Sequence, residues 1–170
     1  MLDVKRQDDG RFVVQLPMPV LLHLKLLPER LREVVENRDF TDEIVRRLFP
    51  TAYRDNAKET EYRKLLGEDL VDRKLESIRI FEEVIAASTI QLDQAAITIP
   101  ADRFETWLCL LNDFRLLLGT ELDIKEDLWR EDFDENDPRA EKFFLLHFLS
   151  VLEEHLLRAT EVPLPEFGGE

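Results

Sequence analysis

The sequence predicts a mainly α-helical fold, a single-domain helical bundle of about six helices with a minor two-stranded β ribbon. Two patterns support this prediction: long stretches in which apolar residues recur every three or four positions, and two short β-branched runs that each end at a proline. A chain of 170 residues suits one domain and can bury a core without disulfides or metals. We therefore expect residues 1–170 to form one domain, with residues 1–10 and 159–170 loosely ordered.

The predicted strands are RFVVQL at 11–16 and AITI at 96–99. Pro17 and Pro100 follow them directly, and proline cannot donate a hydrogen bond to a β ladder. Because an isolated strand leaves its backbone groups unpaired, we expect these two runs to pair as an antiparallel ribbon beside the helices.

The helical segments are separated by prolines, glycines and capping residues. Pro28 should kink or split the first helix, since it lacks an N–H donor and clashes with the preceding turn. Thr41 or Asp42 can cap a short second helix, and Gly67 is placed to end the helix after it. Three further helices are predicted over 68–88, 104–120 and 138–158.

The predicted central helix, FETWLCLLNDFRLLLGT at 104–120, is almost entirely apolar but carries three polar side chains in its middle: Asn112, Asp113 and Arg115. Polar groups in a core are costly unless they are paired. A second candidate cluster precedes the third helix and consists of Tyr53, Arg54 and Asp55.

These six residues form either a structural network or a small polar pocket. In the network, Asp113 or Asp55 pairs with Arg54 or Arg115 through a charge-assisted hydrogen bond. In the pocket, the same groups line a site for a small ligand. The network is the leading interpretation, because no nucleophile or base converges on these residues in the sequence pattern.

Negative charge is concentrated in the C-terminal part of the chain. The net charge is −14, and residues 101–170 contribute −11 of it, with eighteen acids and seven bases. A phosphate backbone would be repelled, so we expect no direct nucleic-acid binding. An acidic connector is predicted at 121–137, and its large apolar residues between Ile124 and the final helix are Leu128, Trp129 and Phe133. They either anchor the connector to the core or form a patch for a protein partner.

Metal and cofactor chemistry has no recognisable motif in this sequence. The three histidines, His23, His147 and His155, occur in no HExxH or Glu-x-x-His pattern, so we expect neither a metal site nor a cofactor. We expect His147 to lie in the core or at its boundary. The single cysteine, Cys109, is flanked by apolar residues and is predicted to pack in the core.

The start of the chain, MLDVKRQDDG, lacks the apolar stretch of a signal peptide. The apolar cluster FFLLHFLSVL at 143–152 is about half the ~20 residues that a membrane span needs. We therefore expect a cytoplasmic protein without a membrane partner, while its homo-oligomeric state stays open.

Two blocks of this sequence resemble the bacterial DUF2017 family, also named after the actinobacterial oxidative-stress regulator AosR. They are RRLFPTAYRDNAKETEYRKLLGEDLVDRKL at 46–75 and FETWLCLLNDFRLLLGTELDI at 104–124. The resemblance implies a cytosolic, mostly helical regulator that acts through protein contacts, with a sigma factor as its partner. The redox form of that role uses a nearby cysteine pair, and Cys109 is the only cysteine here. An internal disulfide switch is therefore excluded.

The leading functional hypothesis is a non-catalytic cytosolic interaction or regulatory protein, linked to stress through a transcription-factor partner. The alternative is a small-ligand binder or enzyme whose polar pocket involves the following residues: Tyr53, Arg54, Asn112, Asp113 and Arg115. The surroundings of Arg115 distinguish the two, because a paired arginine supports the first hypothesis and an open, unpaired one supports the second.

Overall fold

The computed structural model describes residues 2–37, 39, 42–49, 56–123 and 136–161. In these residues the chain forms five α-helices, four β-strands and one short 3-10 helix at Ala101–Arg103. The helices are α1 (Met18–Asn37), α2 (Glu43–Leu48), α3 (Asn56–Ala86), α4 (Phe104–Glu121) and α5 (Ala140–Thr160). The strands are β1 (Asp3–Arg6), β2 (Phe12–Pro17), β3 (Thr89–Gln91) and β4 (Gln94–Ile99).

The predicted ribbon is confirmed as the centre of a larger sheet. Strands β2 and β4 pair antiparallel, with Val14 opposite Ile97 and Leu16 opposite Ala95. The prediction of only two strands is wrong, because β1 pairs with β2 and β3 pairs with β4 to give the order β1-β2-β4-β3. Both added strands are short edge strands without the alternating apolar pattern that identifies a half-buried strand.

The N-terminal residues, expected to be loosely ordered, begin the sheet. Strand β1 turns back into β2 through Gly10, whose φ of +89° is a conformation that L side chains rarely adopt. Gln7 and Arg11 close the turn with a backbone hydrogen bond of 2.7 Å. The sequence of β1 is mostly charged and has no alternating apolar pattern, so it did not predict a strand. Strand β1 is stabilised by its pairing with β2.

One face of the sheet packs on the helices. The buried side chains alternate along the two central strands: Phe12, Val14 and Leu16 on β2, and Ala95, Ile97 and Ile99 on β4. This is the period-two pattern of an antiparallel sheet with one solvated face.

Of the two alternatives predicted at Pro28, the split does not occur, and the helix end predicted at Gly67 is wrong, so the described residues form five helices and not about six. Helix α1 continues through Pro28, and Leu24, Leu27 and Leu31 are fully buried on both sides of it. Burial of these leucines outweighs the backbone hydrogen bond that Pro28 cannot donate. Helix α3 likewise continues through Gly67, which lies in open space with no heavy atom within 4 Å of an added Cβ.

Helix α4 lies at the centre of the core, as predicted. Trp107, Leu110, Leu111 and Phe114 are completely buried on it. The Phe81 ring of α3 stacks on Trp107 with a centroid separation of 4.3 Å and meets Phe114 edge-on at 5.0 Å. These aromatic contacts fix α3 against α4.

The C-terminal boundary also differs from the prediction, because α5 extends to Thr160 and includes the first two residues that were expected to be loose. Ala159 is buried, so packing extends to the end of the helix. The remaining residues, 162–170, lie outside the described residues.

Candidate functional site

The three polar residues of α4 point in different directions. Asp113 is buried, Arg115 is partly exposed, and Asn112 is exposed at the surface rather than in the core. Successive helix residues are rotated by about 100°, so Asp113 and Arg115 are about 200° apart around α4. They therefore contact different neighbouring helices. Tyr53, Arg54 and Asp55 lie outside the described residues.

Asp113 is bound by a lysine of α3. Lys74 Nζ donates a hydrogen bond of 2.6 Å to Asp113 Oδ2, and the two side chains are 19% and 9% exposed. Asp113 is the one buried charged side chain within the described residues. Burial raises the pKa of the Asp113 carboxyl above its ordinary value, and the Lys74 ammonium offsets part of that effect. The partner is thus Lys74, and not Arg115 as one version of the network predicted.

Arg115 is bound by a glutamate of α5. Its Nη1 donates a hydrogen bond of 2.6 Å to Glu153 Oε2, and the Glu153 side chain is mostly buried. The Arg115 Nε atom is buried, and no acceptor among the described residues binds it. The ion pair therefore uses only part of the guanidinium's donor capacity.

The two acid–base pairs attach α4 to α3 on one side and to α5 on the other. The predicted pairing of Asp113 with Arg115 is wrong, because Asp113 pairs with Lys74 and Arg115 pairs with Glu153, neither of which was predicted. The alternative pairings with Arg54 or Asp55 lie outside the described residues. Each partner had a signal. Lys74 is three residues from Val71 and four from Ile78 on α3, and Glu153 is four residues from Leu149 on α5. A charged residue three or four positions from buried apolar residues lies on the buried face of its helix, so it is a candidate counter-ion for a buried charge.

A second polar atom in this region is unpaired. The Trp107 side chain is completely buried, and its indole Nε1 has no hydrogen-bond acceptor within the described part of the chain. The ring is held by stacking on Phe81, so packing decides its orientation.

Two further predictions from the sequence are wrong. Cys109 is exposed on α4, because its helix face also carries the exposed residues Glu105 and Asn112. His147 is exposed on α5 and is not a core or boundary histidine. In both cases the flanking residues in sequence are apolar, but they lie on other faces of the helix.

The predicted partner patch of Leu128, Trp129 and Phe133 lies outside the described residues, as does most of the acidic connector. The described residues next to it are held by ion pairs. Glu121, at the end of α4, pairs with Arg30 of α1 and with Lys142 of α5, the latter at 3.2 Å. The ends of α4 and α5 are therefore joined electrostatically where the connector leaves and re-enters.

A search of the described side chains finds no cluster of three His, Cys, Asp or Glu residues that could hold a metal ion. In the same part of the chain, no helix has the length and apolar character that crossing a membrane requires.

Comparison with known proteins gives a family but no characterised relative. No curated protein and no solved structure matches the chain. One family model, described as a domain of unknown function (DUF2017), matches residues 1–160, nearly the whole sequence. The chain therefore belongs to the DUF2017 family.

Proposed function

We propose that this protein is a non-catalytic interaction or regulatory protein of the cytoplasm. The observation that carries the proposal is the use of the central charges: Asp113 and Arg115 are each bound within 2.6 Å to a side chain of a neighbouring helix. Groups used to join helices are not free to polarise a substrate or to transfer its protons.

The surface supports a protein partner. Among the residues that the structure describes, six large apolar side chains are about half exposed or more: Leu22, Leu26, Ile90, Leu92, Phe144 and Leu157. Exposed apolar residues surrounded by polar ones are common at protein interfaces. With a net charge of −14, the chain favours a basic partner surface.

A sigma factor or another transcription factor is the partner that the family resemblance suggests, in a response to oxidative stress. With Cys109 as the sole cysteine, such regulation cannot use an internal disulfide. In our proposal, control comes from partner binding and not from a covalent change within this chain.

The test is in-cell crosslinking of the tagged full-length chain, followed by quantitative mass spectrometry. A tagged acidic helical protein of similar size is the control for non-specific capture. We expect at least one protein to be enriched over that control and to bind the purified chain directly. If no enriched protein binds the purified chain, the proposal is wrong.

A second candidate function, binding of a small anion, is favoured by one observation. Arg115 carries a buried Nε that no described residue accepts a hydrogen bond from, although its Nη1 is bound to Glu153. An anion-binding protein should unfold at a higher temperature in inorganic phosphate or citrate, and Arg115→Gln should abolish that increase. Absence of any increase in the wild type would eliminate this candidate.

A further inference from the structure

The outward face of α1 has an apolar half and an acidic half. Residues spaced alternately by four and three positions lie on the same side of a helix. On α1 one such set is exposed throughout and consists of Leu22, Leu26, Glu29, Glu33 and Glu36. We call this set the α1 stripe.

The apolar half of the α1 stripe is formed by two leucines one turn apart. Leu22 is 50% exposed and Leu26 is 64% exposed, although the same helix buries Leu24 and Leu27 completely on its inner side. Removal of this apolar surface from water by a partner is favourable.

The acidic half carries charge that the described residues do not neutralise. Glu29 pairs with Arg32 at 2.6 Å, but the carboxylates of Glu33 and Glu36 form no ion pair or hydrogen bond with a described residue. The last turn of α1 contains no basic residue, so Glu36 lies at the negative end of the helix dipole without compensation from that turn. A cation from outside is therefore attracted by both carboxylates and by the helix end.

The basic side chains of α1 are placed elsewhere. Arg30 is bound to α4 through Glu121, and Arg32 is bound to α3 through Glu82. Lys25 lies about two turns before Glu33, at the apolar half of the α1 stripe. The acidic half thus has no base of its own helix beside it among the described residues.

We propose that the α1 stripe is a docking site for an amphipathic helix of another protein, with apolar residues at one end and lysines or arginines at the other. The apolar residues would cover Leu22 and Leu26, and the bases would pair with Glu33 and Glu36. The spacing of the α1 stripe is that by which two helices pack in a coiled coil. This inference rests on the proposed function, because it names the surface and the chemistry of the protein partner.

The order of leucines and glutamates disfavours a second copy of this chain. If two α1 stripes overlapped along their whole length in parallel, glutamates would face glutamates. In the antiparallel arrangement, centred on Glu29, Leu22 would face Glu36 and Leu26 would face Glu33. Both arrangements bury acids without a counter-charge, which is costly.

The parts of this chain beyond the described helices lack the required charge as well. Residues 124–135 include six acids and two bases, and residues 162–170 include two acids and no base. A basic helix of a different protein fits both halves of the α1 stripe.

The experiment titrates the ¹⁵N-labelled full-length chain with an alanine-based helical peptide of about 20 residues. Two leucines followed by three lysines occupy its a and d positions, and a second peptide has the reverse order, since a partner helix can lie in either direction. We expect one of the two to cause saturable shifts at the amides of the α1 stripe, with a Kd of about 1 mM or below. If neither peptide shifts these amides, the proposal is wrong.

A charge swap separates docking from folding. The variant Glu33→Lys, Glu36→Lys should bind the lysine peptide at least about tenfold more weakly, and should bind a peptide with glutamate in place of lysine more tightly than the wild type does. Its melting temperature should stay equal or rise, because lysine is favoured near the C-terminal end of a helix.

The matched control for net charge is Glu68→Lys, Asp72→Lys, at two exposed positions of α3. It should change the affinity for the lysine peptide by less than about twofold, because exposed charges at a distance are screened by salt. An equal loss of affinity in the two charge variants would show a non-specific charge effect and overturn the proposal.

The apolar half is tested by Leu26→Ser, which should weaken binding of the lysine peptide by at least about threefold. Its control is Leu157→Ser on α5, which removes a leucine that is 48% exposed and should leave the affinity unchanged. Equal affinities of Leu26→Ser and the wild type would contradict the role of the leucines.

The outcomes also separate this inference from the proposed function. If a crosslinked protein partner binds Leu26→Ser and Glu33→Lys, Glu36→Lys as tightly as the wild type, the α1 stripe is not its docking site, while the interaction function stands. If the wild type instead forms dimers that Leu26→Ser dissolves, the occupant is a second copy and the proposal is overturned.

Discussion

The buried pair between Lys74 and Asp113 should contribute little net stability. We expect the double variant Lys74→Met, Asp113→Leu to be as stable as the wild type or more stable by about 1–2 kcal/mol. Well-packed apolar residues of similar volume often replace a buried ion pair at no cost, because they need no desolvation. The raised pKa of Asp113 indicates that its ion pair with Lys74 does not fully compensate this carboxylate for lost water.

The single variants should behave differently. Removing one partner of a fully buried pair costs roughly 3–5 kcal/mol, because the other charge is left without compensation. Lys74 retains 19% exposure and can turn towards water, so Asp113→Leu should cost less than that range. Lys74→Met leaves the more deeply buried Asp113 alone and should be the more damaging of the two, at about 3 kcal/mol near neutral pH.

The pH dependence gives an independent check with a definite sign. A carboxyl whose pKa is raised in the folded state binds protons more readily there than in the unfolded chain. The stabilisation that comes from the raised pKa of Asp113 is therefore complete when the pH is below the ordinary pKa of 3.8. It is lost as the pH rises through the raised pKa. Asp113→Asn should accordingly become more stable relative to the wild type as the pH increases through this window.

The assay is urea unfolding of the wild type, both single variants and the double variant at several pH values, analysed as a double-mutant cycle. The Glu76–Arg79 pair on the exposed side of α3 supplies the control, and Glu76→Gln should change stability by no more than about 0.5 kcal/mol. The reasoning is refuted if the double variant loses as much stability as Lys74→Met alone. It is also refuted if the wild type gains stability over Asp113→Asn with rising pH.

Three other substitutions test the packing, each by the midpoint of urea unfolding. Gly67→Ala should stabilise the protein by about 0.5–1 kcal/mol, because Gly67 lies in a helix interior and the added methyl meets no atom within 4 Å. A loss of stability would contradict a continuous α3. Trp107→Phe should cost far less than the roughly 3–5 kcal/mol of a Trp→Ala change, since it also removes a buried N–H that has no acceptor; an equal cost would indicate that the indole nitrogen is bonded. Cys109→Ser should change stability by less than about 0.5 kcal/mol, because the thiol is exposed, and a larger loss would place this side chain in the core.

The sequence predicted those parts of the fold that are specified by local periodicity. The apolar content of α4 identified the central helix, and the two proline-terminated runs identified the strands that pair as β2 and β4. The N-cap at Asp42 is confirmed as well, since its side chain accepts from the Ile44 N–H at 3.3 Å. In each of these cases the local preference and the tertiary packing agree.

The features that were missed depend on contacts between distant residues. Pro28 disfavours a helix locally, but the helix Met18–Asn37 continues through it, with leucines buried in the core on both sides. Strands β1 and β3 form because a partner strand is already in place. The partners of Asp113 and Arg115 are 39 and 38 residues away in sequence, and the packing of α3 and α5 against α4 decides which charges meet.

The two ion pairs of α4 together explain why polar residues occur in the most apolar helix of the chain. Leucine-rich faces allow several rotations of one helix against its neighbours at similar cost, since apolar packing has little directional preference. Asp113 and Arg115, about 200° apart, cannot both be paired if α4 rotates by one residue, which is about 100°. A buried acid then lacks its lysine on one side, and Glu153 lacks its arginine on the other. The pairs can therefore contribute little net stability and still select one arrangement of the bundle.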